Sequence, residues 1–172
     1  MKNIPFHPLA DIFPSIYGTE FVALKMDIKE HGLREPIVMF DGQILDGRNR
    51  FRACQETGTE PRFVNYAGDD PTEYVISLNL HRRHMDESQR STVAAKLETL
   101  KRGEHGKDAN LHVSRTKAAE LLNVSERSVA SAKKVLNTGA PELIEKVEQG
   151  EIKVSEAASI AAMPKEDQQE IV

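Results

Sequence analysis

From Asp46 to Ala53 the chain reads Asp-Gly-Arg-Asn-Arg-Phe-Arg-Ala, a tight turn leading from a β-prone run straight into a helix with three arginines. Free N–H groups at a helix start, the positive end of its dipole and guanidinium forks together suit an anion, phosphate above all. Gly47, Arg48, Arg50 and Arg52 are the candidate residues. Arg48 and Arg52 stand four apart and share a face, whereas Arg50 points elsewhere, so the three need not serve one ligand. The competing reading is a solvated helix whose arginines pair with nearby acids. A second basic knot, Asn79-Leu80-His81-Arg82-Arg83-His84, adds Asn79, Arg82 and Arg83. It suits the same phosphate or a DNA backbone, or it simply compensates a helix C-terminus with cations. His81 and His84 have no carboxylate or cysteine at ligand spacing beside them, so no metal site is expected.

The sharpest motif is RTKAAELLNVSERSVASAKK, residues 115–134, which fits a helix-turn-helix. That unit needs small residues where two helices touch, a residue tolerant of left-handed backbone in the turn, and apolar residues seating the second helix. Ala118 and Ala119 allow close approach, Leu122 and Val124 pack inward, Asn123 takes the turn, and Val129 and Ala132 complete the inner face. Ser114 and Ser125 stand where each helix needs an N-cap. A second helix starting at Ser125 turns Glu126, Arg127, Ala130, Ser131 and Lys134 outward, with Ser128 and Lys133 at the rim. Arginine reads guanine edges, serine reaches bases or phosphates, and lysine neutralises phosphate, so Ser125, Glu126, Arg127, Ser128, Ser131, Lys133 and Lys134 form the candidate DNA-binding face. A plain helical hairpin, its small and charged residues serving packing and solubility, is the bland alternative.

The net charge of -4 argues against a polyanion partner only until it is resolved along the chain. Residues 1–80 carry 8 Lys/Arg against 12 Asp/Glu, and residues 140–172 carry 3 against 8, whereas residues 81–139 have a net charge of +5. Local potential decides docking, so the basic middle keeps double-stranded DNA as a partner. At 172 residues, 39% apolar and 29% charged, the chain is composed like a globular protein with one large or two small domains. It has no bilayer-spanning run and no signal-peptide start, which predicts a cytoplasmic protein without a membrane partner. The single cysteine, Cys54, excludes an internal disulfide.

These motifs need elements to carry them. Phe21, Leu24 and Ile28 at helical spacing, with Gly32 after them, predict a helix over residues 20–31. Pro36 to Phe40, the Asp41-Gly42 turn and Gln43 to Leu45 predict a hairpin. Phe51 and Cys54 share the face of a helix that stops at Gly58, and residues 62–66 read as a further strand. From Pro71 onward the pattern is helical: one helix opens at Pro71, and another, with Val93, Leu97 and Leu100, opens at Asp86 or Ser88. The stretch GEHGKDANLHV reads as a flexible hinge. The expected class is α+β: a small mixed α/β domain over 1–80, connecting helices and hinge over 81–106, and an all-α helix-turn-helix domain over 107–172.

With these residues in hand, the chain resembles the ParB-like family of chromosome and plasmid partition proteins along nearly its whole length. IKEHGLREPIVMFDGQILDGRNRFRAC resembles the family's amino-terminal ParB/sulfiredoxin-type domain, and SLNLHRRHMDESQR resembles the helix pair that follows it. The helix-turn-helix comes next, and GEIKVSEAASIAAMPKEDQQEIV looks like the helical segment after it. Gly47, Arg50, Phe51, Arg52 and Ala53 fall on the family's Gly-Glu-Arg-Arg-aromatic-Arg-Ala box, and Asn79 and Arg82 on its Glu-Asn-x-x-Arg box. The resemblance implies CTP with Mg2+ as cofactor, specific double-stranded DNA as ligand, a homodimer, a partition ATPase as partner, nucleoid or plasmid association, and partition or transcriptional regulation as role. The chain departs at Arg48 and Leu78, where the family has glutamates, and at Asn49, where it has arginine. Those acids help handle a metal-bound triphosphate, so nucleotide hydrolysis is expected to be weak or absent, and no catalytic residue is assigned.

Similar α/β domains also occur in sulfiredoxins and in kinases and nucleases. A sulfiredoxin needs its cysteine at the start of the helix, and Cys54 sits deeper, at an apolar position that suits a core thiol. A nucleotide-dependent kinase or nuclease is the alternative function, with Asp46 as base or metal ligand beside the arginines.

Overall fold

The computed structural model describes residues 4–82, 84–100 and 113–171, with backbone alone at 81 and 82. The described chain forms two compact units, Met1–Val75 and Ile76–Val172. The predicted hinge from Gly103 to Val113 lies outside the described residues except for Val113, as does Arg83.

The first unit is a three-stranded sheet backed by helices. β1 (Ile37–Phe40) and β2 (Gln43–Asp46) form an antiparallel hairpin, with Phe40 opposite Gln43. Asp41 at φ 47 and Gly42 at φ 76 make its turn, a two-residue left-handed bend that an Asp-Gly pair accommodates at low cost. A β-bulge between Val38 and Met39 irregularises the pairing. Next comes α3 (Arg48–Thr57), and then β3 (Phe63–Asn65), which lies parallel to β1 and gives the order β2-β1-β3. A parallel neighbour requires such a crossover, here made by α3. The far edge of β2 is covered by the preceding chain, where His7 N donates to Ile44 O and Ile44 N donates to Pro5 O.

Two earlier helices complete this unit: α1 (Pro8–Asp11), whose first turn is capped by the His7 ring, and α2 (Gly18–His31). Gly32 ends α2 at φ 74, a conformation that favours glycine, and its N–H bonds Ile28 O. Phe21, Ile28, Leu33, Ile37, Ile44, Phe51, Ala53 and Cys54 form the core between α2, α3 and the sheet. Removing these apolar groups from water is the main term stabilising the unit.

α4 (Pro71–Arg82) crosses the division between the units. The second unit is helical: α5 (Glu87–Thr99), α6 (Arg115–Leu122), α7 (Glu126–Thr138), α8 (Pro141–Gln149), α9 (Val154–Ile160) and α10 (Lys165–Ile171). Asp86 opens α5 with a full capping box, its side chain accepting from Gln89 N while Gln89 Oε1 accepts from Asp86 N. Packing against α6, α7, α8 and α9 buries Ser88, Ser91 and Thr92 as well as Val93, Ala94, Ala95 and Leu97. The buried hydroxyls are satisfied: Ser91 donates to Glu87 O, Thr92 donates to Ser88 O, and Ser88 Oγ accepts from Val154 N. At the far end Gln168 is fully buried and ties three segments together. Its Oε1 accepts from Ala140 N at 2.7 Å, and its Nε2 donates to Met163 O at 2.8 Å and to Thr138 O at 3.3 Å.

Candidate nucleic-acid interface

Ser114 and Ser125 cap α6 and α7, accepting from Lys117 N and Ser128 N respectively. Such caps satisfy first-turn amides that have no partner within the helix. Between the helices Asn123 adopts φ 50, ψ 56, and its N–H reaches the carbonyls of Ala119 and Glu120. The side-chain oxygen of a residue such as Asn makes this left-handed turn tolerable without glycine. Ala118, Ala119 and Leu122 on α6 and Val129, Ala132 and Val135 on α7 are buried. Val124, expected to pack inward, is only partly buried.

Burial of Val129, Ala132 and Val135 fixes the rotation of α7 and so decides which residues face out. Arg127 and Lys134 are exposed, and neither has an ion-pair partner among the described residues. Seven residues apart on a helix, they are separated by about 10 Å along its axis and lie on one face, with the half-buried Ser131 between them. Ser125 and Glu126 are exposed at the helix start, where Glu126 Oε1 accepts from Thr116 Oγ1 at 3.1 Å.

The two rim residues face the protein. Ser128 Oγ lies 2.9 Å from Ser125 Oγ and donates to Glu87 Oε1 at 3.1 Å. Lys133 Nζ donates to Glu98 Oε1 at 2.9 Å. The same carboxylate takes a fork from Arg115, with Nε at 3.3 Å from Oε2 and Nη2 at 3.2 Å from Oε1. Burial alone pushes the Glu98 carboxyl up, but the hydrogen bonds from Lys133 and Arg115, reinforced by their charges, outweigh it and hold the group below its ordinary range. Arg90, on α5, donates through Nε to Leu122 O, one of the open carbonyls at the end of α6. Sequence reasoning missed Glu87, Arg90, Glu98 and Thr116. The spacing of Val93 and Leu97 gives a buried face of α5 but does not say which helix meets Glu98.

The arginine-rich start of α3 is committed to protein partners. Arg48 donates to Asp11 through Nη1 and to Phe13 O through Nη2 at 2.8 Å. Arg50 bridges Glu35 Oε2 at 2.8 Å and Asp46 Oδ2 at 2.7 Å. Arg52 lies over the rings of Phe21 and Tyr17, 4.7 and 5.6 Å from their centroids. Gly47, at φ 96, precedes α3 without a side-chain cap, and a Cβ there would come within 3.1 Å of Arg50 Nη2. A triphosphate with Mg2+ needs cations that can turn to its oxygens. Here Arg48 and Arg50 each face a carboxylate and Arg52 two aromatic rings, while Arg48 Nε and Asn49 Oδ1 are buried without a hydrogen-bond partner among the described residues, so a phosphate would have to exchange with the exposed Asp11 and Glu35 carboxylates. Asp46, the candidate base of the enzyme alternative, is likewise held by Arg50. Cys54 is buried in the core, and burial pushes its thiol up despite the neighbouring Arg50. Asn79 stands on α4 in the other unit, and the side chains of His81 and Arg82 lie outside the described residues. Among the described residues no helix is long and apolar enough to cross a membrane, and no group of three His, Cys, Asp or Glu side chains is placed to hold a metal.

No protein-family model and no curated protein matches the chain. Among solved structures it is similar to the C-terminally truncated chromosome-partitioning protein ParB from Caulobacter crescentus complexed with CTP-gamma-S, at 21% identity over 92% of this chain and 89% of that one, with a TM-score of 0.36. The same protein complexed to the centromeric parS site gives 20% identity over 92% and 86%, with a TM-score of 0.40. A Pnob8-like ParB-N domain gives 16% over 92% and 76%, with a TM-score of 0.47. At these identities and scores the likenesses assign neither site residues nor ligands to this chain.

Proposed function

We propose that this chain is a ParB-like, sequence-specific DNA-binding protein in which α6 and α7 act as a helix-turn-helix and α7 enters the major groove. One observation carries the reading: α7 buries Val129, Ala132 and Val135 while presenting Arg127 and Lys134, which have no ion pair among the described residues, on an exposed face directly after a left-handed turn. In that pose Arg127 and Glu126 lie near base edges, Ser125 and Ser131 near bases or phosphates, and Lys134 against the backbone. Two copies on a two-fold symmetric site are the expected stoichiometry, and partition or transcriptional control is the expected role. CTP with Mg2+ and a partition ATPase are not needed for this reading. The arginines of α3 bond Asp11, Glu35 and Asp46 within the first unit.

The test is selection of bound duplexes from a random pool, followed by titration of the selected site at several salt concentrations. Arg127→Ala is expected to change base preference at the position it contacts, costing about 1–3 kcal/mol there. Lys134→Ala is expected to weaken all duplexes alike and reduce the salt slope by about one. A pool that yields no preferred sequence, with neither variant altering binding, would sink the proposal.

A further inference from the structure

We infer that Glu98 is a positioning residue for the DNA face of α7: it draws Lys133 and Arg115 to the inner side of the α6–α7 pair, leaving phosphate contact to Lys134. The inference deepens the DNA-binding reading and rests on it. Lys133 and Lys134 are adjacent and chemically identical, yet a rotation of about 100° between successive helical residues separates their roles. The Lys134 side chain is exposed with no ion pair among the described residues, whereas the Lys133 side chain is 33% exposed and its ammonium is 2.9 Å from Glu98. Glu98 itself is 13% exposed, too enclosed to be left uncompensated. If Lys133 swung out to a phosphate, that carboxylate would keep only Arg115, and the lost neutralisation opposes the swing. Arg115 opens α6 and Lys133 lies mid-way along α7, so one carboxylate on α5 joins both helices. Glu87 holds Ser128 in the same way nearer the start of α7. α5 thus grips α7 at two points and fixes which of its cations can reach a duplex.

The experiment compares the full chain with Lys133→Gln, Lys134→Gln, Glu98→Gln and the Glu98→Gln/Lys133→Gln pair, measuring affinity for one selected duplex against salt. Each neutralised phosphate contributes about 0.9 to the slope. Lys134→Gln should lower the slope by about one, while Lys133→Gln should leave it unchanged. Glu98→Gln should raise it by about one to two as Lys133 and Arg115 are released, and adding Lys133→Gln should remove about one of that gain. If Lys133→Gln lowers the slope as Lys134→Gln does, or if Glu98→Gln folds and leaves the slope unchanged, the positioning role is wrong while DNA binding stands. If the unaltered chain binds no duplex, both ideas fall. Should Glu98→Gln not fold, the contrast between the two lysine variants decides by itself.

Discussion

Replacing Gln168 with methionine keeps length and volume but removes every hydrogen bond the side chain makes. The buried amide of Ala140 loses its acceptor at 2.7 Å, Met163 O loses a donor at 2.8 Å, and Thr138 O loses a longer one at 3.3 Å. A buried donor left unpaired costs about 1–3 kcal/mol, and a carbonyl with a second lone pair costs less, so the total comes to about 3 kcal/mol. For a domain of this size each kcal/mol moves the melting midpoint by about 4–8 °C, so Gln168→Met should lower it by roughly 10 °C or more. Thermal unfolding followed by circular dichroism reads this directly, with Gln169→Met at the exposed neighbouring position as control, expected within about 0.5 kcal/mol of the unaltered chain. A Gln168→Met protein melting within about 2 °C of the parent would refute the argument that this amide fastens the corner between α7 and α8.

Two further expectations concern the α6–α7 pair. Asn123→Ala places an ordinary Cβ at φ 50 without the polar side chain that eases it and should cost about 1 kcal/mol in urea unfolding, while Asn123→Gly should be neutral or stabilising. Glu98 has its pKa depressed by folding, so its contribution is fully present above the ordinary value of 4.5 and is lost as pH falls from there through the lowered folded value. Glu98→Gln should therefore flatten the acid limb of the stability profile, and an unchanged limb would count against the Lys133 and Arg115 bonds.

Local features were legible in the residues because local physics fixes them. Gly32 and Gly58 end helices where expected, Asp41-Gly42 turns the hairpin, and Ser114, Ser125 and Asn123 take their cap and turn positions. Partners distant in sequence were not legible. Arg48 meets Asp11 from 37 residues away, and Lys133 meets Glu98 from 35 away. Charge spacing along one helix says nothing about what lies across from it, so the rim position expected for Lys133 does not disclose Glu98, and the expected alternative of paired α3 arginines does not name the acids. The seating of β3 beside β1 was invisible for a related reason, because the pairing is set by where α3 delivers the chain. Gln168 resembles any polar residue of an acidic tail until α10 packs.

Cys54 offers a practical opening. It is the single cysteine of the chain and is fully enclosed beside Phe51, with its thiol pushed up, so it holds little of the reactive thiolate. A cysteine engineered at an exposed position such as Asn137 would therefore take a maleimide dye selectively in the native protein. The parent chain then serves as its own unlabelled blank, and fluorescence anisotropy could follow duplex association without first removing the natural thiol.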